Sequence, residues 1–206
     1  MKNKKQKGFT LEEYNELFNY IKECHGKELF EGLNIIDDEL FCYTPEDKTI
    51  SVLTYFEKDE CEIDIPEKFL VKYANETFNL NIPNTPKYWS IFSFLHELGH
   101  YMDLNFRTEE DFNIYHQKNM VAYSKLGRKS NKNFYKIEKC KMNIETYKIL
   151  NDKEMLQIIK DKMTQLEKER MNLDYEYRQL PSESAADKWA VFFIKEYIIK
   201  HEKYSY

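Results

Sequence analysis

Glycine and proline are scarce, five of each in 206 residues, which leaves few long irregular loops. Cysteine is sparse as well. Cys24, Cys42, Cys61 and Cys140 show no Cys-x-x-Cys spacing, and disulfide frameworks belong to short, Cys-dense secreted chains, so the four read as reduced thiols of a cytosolic protein. Arginine is rare among the basic residues, 27 of the 31 being lysine, and the formal net charge is only -5. Neither feature suits a surface built for bidentate phosphate recognition, so nucleic acid is not a favoured partner. No apolar run approaches the ~18 residues of a membrane span. The basic start, Met1 to Gly8, leads into the acidic amphipathic stretch Leu11-Glu12-Glu13-Tyr14 with no apolar core of a signal peptide behind it. The expectation is a soluble, cytoplasmic protein without membrane contact.

The chain is rich in bulk. Hydrophobic residues make up 42%, with 16 Tyr and 14 Phe, against 33% charged residues, which is a globular profile long enough for one domain, 1–206, with a sizeable insertion.

Thr10-Leu11-Glu12-Glu13 has the Thr-x-x-Glu form of a capping box, and Leu11, Tyr14, Phe18 and Ile21 follow at helical spacing. A first helix is predicted from about residue 10 to Gly26, with residues 1–9 as a flexible tail. Residues 40–43 and 50–56 are β-rich and flank a turn at 44–48, a hairpin pattern, and residues 61–65 alternate at period two like a third strand. A short helix from Pro66 to about Leu80 ends before two prolines. Thr85-Pro86 then supplies a cap followed by proline at the first helical position, predicting a helix to about Asn105.

That helix carries His96-Glu97-Leu98-Gly99-His100. Positions i and i+4 share a helical face, so both imidazoles reach one metal ion while Glu97 stands beside it as a base. Gly99 weakens the helix by roughly 1 kcal/mol, which points to a close backbone approach there. A catalytic zinc takes three protein ligands and keeps a position open for water. The extended pattern with a third histidine is absent, since position 103 is Asp and position 106 is Phe, and the remaining common solution is a carboxylate from a second helix.

Leu180-Pro181-Ser182-Glu183-Ser184-Ala185-Ala186-Asp187-Lys188-Trp189-Ala190 is the strongest candidate for it. Glu183 and Asp187 share a face one turn apart, and Ala186 and Ala190 offer a smooth side for tight packing on the pentad helix. Glu183 is the expected ligand, and Asp187 the acceptor for the free N–H of a ligand imidazole. The bland alternative has Ser182 as the helix cap and Glu183 answering the helix dipole. Between the two motifs, residues 108–177 are polar and helical, with a stripe of Met155, Ile159, Met163 and Leu166 that fits a helical hairpin. The lysine-rich stretch from Lys125 to Lys141 reads as a solvated face.

The pairing of His-Glu-Leu-Gly-His with a later Glu-x-x-Ala-Asp-x-Trp-Ala resembles gluzincin-type metallopeptidases, and within them the ImmA/IrrE family of small cytosolic proteins. The matching positions are His96, Glu97, His100, Glu183, Ala186, Asp187, Trp189 and Ala190. The resemblance implies zinc held by His96, His100 and Glu183, and a protease acting on cytosolic proteins such as repressors. The separation from His100 to Glu183 exceeds the family's compact spacing, so 108–177 reads as an inserted helical subdomain. The expected fold is α+β and zincin-like, a small mixed or antiparallel sheet packed on the active-site helix, with a largely helical C-terminal half.

The expected function is zinc-dependent hydrolysis of peptide bonds, with Glu97 as general base and a protein or peptide as substrate. Tyr177, Arg178 and His201 are candidates for stabilising the transition state, and residues 61–65 for a sheet edge that an extended substrate joins. A second reading is a zincin-scaffold protein that captures a host or partner protein with little catalysis; a structural zinc protein is a weaker third, because structural sites are usually closed by four Cys or His ligands.

Overall fold

In the computed structural model, the described backbone covers residues 5–57 and 66–201. The chain is α+β and dominated by helix. Strand β1 (Lys5–Lys7) precedes helix α1 (Leu11–His25), whose start is the capping box read from the sequence: the Thr10 hydroxyl accepts from the Glu13 amide and the Glu13 carboxylate accepts from the Thr10 amide. Gly26 ends α1 at φ 98°, a conformation that disfavours any side chain. After a 3-10 turn come β2 (Asn34–Asp37), β3 (Cys42–Thr44), β4 (Thr49–Val52) and β5 (Tyr55–Glu57). Helices α2 (Pro66–Phe78), α3 (Pro86–Asn105), α4 (Glu109–Ile149), α5 (Lys153–Arg178) and α6 (Pro181–His201) complete it.

The described residues form two small sheets. The order β2-β4-β3 is mixed: β2 runs parallel to β4 with Ile35 opposite Ile50, and β3 runs antiparallel to β4 with Tyr43 opposite Ile50. The hairpin around residues 44–48 is therefore present, and β2 is an addition to the strands expected from the sequence. Its residues show no alternation of burial, and it exists through a non-local pairing. The flexible tail is corrected in part. Residues 5–7 pair antiparallel with β5, Phe9 is buried, and the Phe9 amide donates to Ser90 Oγ at 3.0 Å. An apolar side chain in the core and paired backbone groups hold this segment down. The proposed strand at 61–65 lies outside the described residues.

The chain divides into two compact units, residues 1–107 with 185–206, and residues 108–184. The first has a core of Tyr14, Phe18, Ile50, Val52, Val71 and Phe92, to which α6 adds Ala190, Phe193 and Ile194. At the far end of α1, His25 Nε2 lies 2.7 Å from Glu196 Oε2 and its ring packs on Phe192 and Phe193, which ties α1 to α6. The second unit is the α4–α5 hairpin, closed by Ile137, Cys140, Ile144, Ile159 and Leu166. Asn133 Nδ2 donates to the Leu166 carbonyl at 3.1 Å and fixes the register of the two helices. Among the described residues no helix is long and apolar enough to cross a membrane.

Candidate metal centre

Helix α3 starts as its sequence suggests, with Thr85 in extended conformation at the N-cap and Pro86 in the first turn, although the threonine hydroxyl makes no capping bond. From Tyr88 to Met102 it is buried on almost every side, so its polar residues need partners supplied by the fold. Gly99 shows what fixes its distance from α6. A Cβ built there would sit 2.8 Å from Ala186 Cα and closer still to the Ala186 carbonyl oxygen, nearer than real side chains approach backbone. The two helices meet main chain to main chain at that point.

This contact brings the polar residues of α6 into register with the pentad. His96 is buried, and its Nδ1 lies 3.1 Å from Oδ1 of the fully buried Asp187. A carboxylate facing Nδ1 keeps the proton on that nitrogen and leaves Nε2 with its lone pair available for a metal. The His96 and His100 rings lie 4.6 Å apart, centroid to centroid, at 76°. Glu183 occupies the first turn of α6, where the helix dipole favours a carboxylate. Ligand atoms from His96, His100 and Glu183 all lie within 4.8 Å of one another. Two imidazoles and a buried carboxylate form a nitrogen and oxygen donor set suited to a divalent ion.

Each carboxylate of the centre has its own donors. Glu97 Oε2 accepts the Tyr43 amide at 2.9 Å, so the edge strand β3 reaches the pentad through its main chain. Burial, and after it the charge of Glu97, pushes the neighbouring Cys42 thiol up from its ordinary pKa. Glu183 Oε2 accepts Arg178 Nη1 at 2.8 Å, while Oε1 accepts the Tyr177 hydroxyl at 3.1 Å and the Tyr123 hydroxyl. Burial, and then the Glu183 charge, holds the Tyr123 phenol well above its usual range, so it stays a donor.

Of the expected residues, His96, His100 and Glu183 bring ligand atoms together, Asp187 meets His96, Glu97 meets the main chain of β3, and Tyr177 and Arg178 both meet Glu183 itself. His201 is the last residue of α6, and its side chain lies outside the described residues. Ser182 is not the cap of α6: the helix begins at Pro181, and Ser182 Oγ pairs with the Tyr123 hydroxyl at 2.6 Å instead. Two participants had no sequence signature. Tyr123 is one of the chain's 16 tyrosines and lies in a long polar helix, and Tyr43 contributes a backbone amide, which every residue but proline carries.

Comparison with protein-family models, curated proteins and solved structures yields no match.

Proposed function

We propose that this protein is a zinc-dependent metallopeptidase acting on a peptide or protein in extended conformation. The observation that carries the reading is the convergence of His96, His100 and Glu183 on one point, with Glu97 next to His96 in the chain. A structural zinc site has no need of a base in that position, and it is usually closed by a fourth protein ligand. Bound there, zinc supplies Lewis-acid polarisation of the scissile carbonyl and acidifies a water molecule.

The chain's own residues do the rest. Glu97 takes the proton of the attacking water on its carboxylate and delivers it to the leaving nitrogen. The Tyr43 amide fixes that carboxylate, which shortens the search for a reactive geometry. Asp187 keeps His96 in one tautomer and one orientation. Substrate lies along β3 rather than β2, because β3 is the edge strand whose backbone already meets Glu97. An extended peptide adds to such an edge by main-chain hydrogen bonds.

The test is metal content and turnover of a casein-type or peptide-library substrate. Glu97→Gln is expected to retain the metal and lose roughly 10²–10⁴-fold in turnover, whereas His96→Ala loses the metal. Wild-type turnover by the Glu97→Gln protein rules the mechanism out. A second reading, capture of a partner protein, is favoured by Val121, Tyr135 and Met142, each 72% exposed on α4. Polar replacements there that abolish capture and leave turnover intact assign binding to that helix.

A further inference from the structure

The two oxygens of the Glu183 carboxylate are held by unlike donors. Oε2 faces the guanidinium of Arg178 at 2.8 Å, in a pair whose side chains are only 9% and 4% exposed. Oε1 faces two neutral phenols, Tyr177 and Tyr123. The phenols support each other: their rings meet edge to face at 5.5 Å, and Tyr123 also pairs with Ser182 Oγ. A hydrogen bond with charge on donor and acceptor outlasts one charged on the acceptor alone, and burial removes the water that levels the two. A cation arriving at this carboxylate therefore displaces the phenols more readily than the guanidinium.

We propose that Tyr123 and Tyr177 form a latch on the third metal ligand. In the metal-free protein they occupy Oε1, and they yield it to a divalent transition-metal ion while Arg178 keeps hold of Oε2 and orients the carboxylate. The inference rests on Glu183 serving as ligand. It goes further in assigning opposite roles to donors on one side chain: Arg178 is a positioning residue, and the tyrosines are competitors of the metal. It also places the competing hydroxyl on α4, so the helix that follows the pentad helix in the chain sets the affinity of the centre.

The sign of a substitution separates a latch from a support. Removing a group that merely props a ligand weakens metal binding, typically by about 10–100-fold. Removing a competitor strengthens it. Zn²⁺ or Co²⁺ is titrated into metal-stripped full-length wild type, Tyr123→Phe, Tyr177→Phe and the double variant. The loss of one hydrogen bond to a charged group is expected to tighten binding by about tenfold for Tyr123→Phe, and further in the double variant. Arg178→Met weakens binding, and Arg178→Lys recovers part of it. Unchanged or weaker binding by Tyr123→Phe, in a protein with wild-type helix content by circular dichroism, overturns the latch; Tyr177→Phe gives the same sign test should the first variant misfold. If wild type binds neither ion, or binds no better than His96→Ala, the metal centre itself is refuted, an outcome distinct from a working centre without a latch.

Discussion

Four carboxylates illustrate how much a side chain owes to what surrounds it. Glu97 meets a backbone amide, Glu183 a guanidinium and two phenols, and Asp187 an imidazole. Replacing Asp187 by Asn leaves the volume unchanged but removes the charge that orients His96. Metal affinity is expected to fall by about 10–100-fold, read by competition with a chelating dye, with helix content unaltered. Glu67, in the first turn of α2, is the fourth, and burial raises its pKa above the ordinary carboxylate range. The folded state therefore binds its proton more tightly than the unfolded state, and stability is lost as pH rises from the unfolded pKa through the folded one. Glu67→Gln should be neutral or stabilising at pH 7, with the advantage vanishing at pH 4 and below. Denaturant titrations at the two pH values check it, and a Gln variant less stable at pH 7 than at pH 4, relative to wild type, contradicts it.

At the scale of elements, helix ends were the most legible parts of the sequence. The Thr10 to Glu13 box and Thr85-Pro86 are local devices whose partners lie within a turn, so the letters alone place α1 and α3. Strand β2 has the opposite character: its partner β4 lies beyond an intervening strand rather than within a turn, and its residues follow no alternating pattern. The centre divides the same way. His96, Glu97 and His100 are fixed by helical periodicity, and Glu183 with Asp187 by a second helical pair. Tyr123 and the Tyr43 amide arrive by tertiary folding, which no spacing rule records. Gly99 is intermediate: its residue type signals a close approach and Ala186 offers a smooth face, but no spacing rule pairs the one with the other. Gly99→Ala pushes a Cβ into the Ala186 main chain. Overpacking of this kind is expected to destabilise the protein by about 1–3 kcal/mol, measured by urea unfolding, and to weaken metal binding in the same protein.

On the scale of the whole molecule, the described residues of a chain with few loops form two apolar cores. The first gathers aromatic and aliphatic residues from both ends of the sequence; the second is a short apolar seam along α4 and α5. Helix α4 has 41 residues and spans about 60 Å at 1.5 Å per residue. A ligand that binds only the folded chain stabilises it by mass action, about 2.7 kcal/mol at one hundred times its dissociation constant. Added zinc is expected to raise the thermal midpoint of wild type in a concentration-dependent way and to leave His100→Ala unmoved. An equal rise in both proteins shows that the ion acts elsewhere.

The contact at Gly99 bears on the size of ion that the candidate centre could take. Glu183 rides on α6 one turn before Ala186, and the hydrogen atom at position 99 sets how near that helix can come. The absence of a single methyl group is therefore expected to limit the radius of an ion held there. A Cβ at 99 would stand only 2.8 Å from Ala186 Cα, so a side chain there must drive that main chain back. On the proposed metal-centre reading it is expected to shift preference from zinc toward a larger ion such as cadmium.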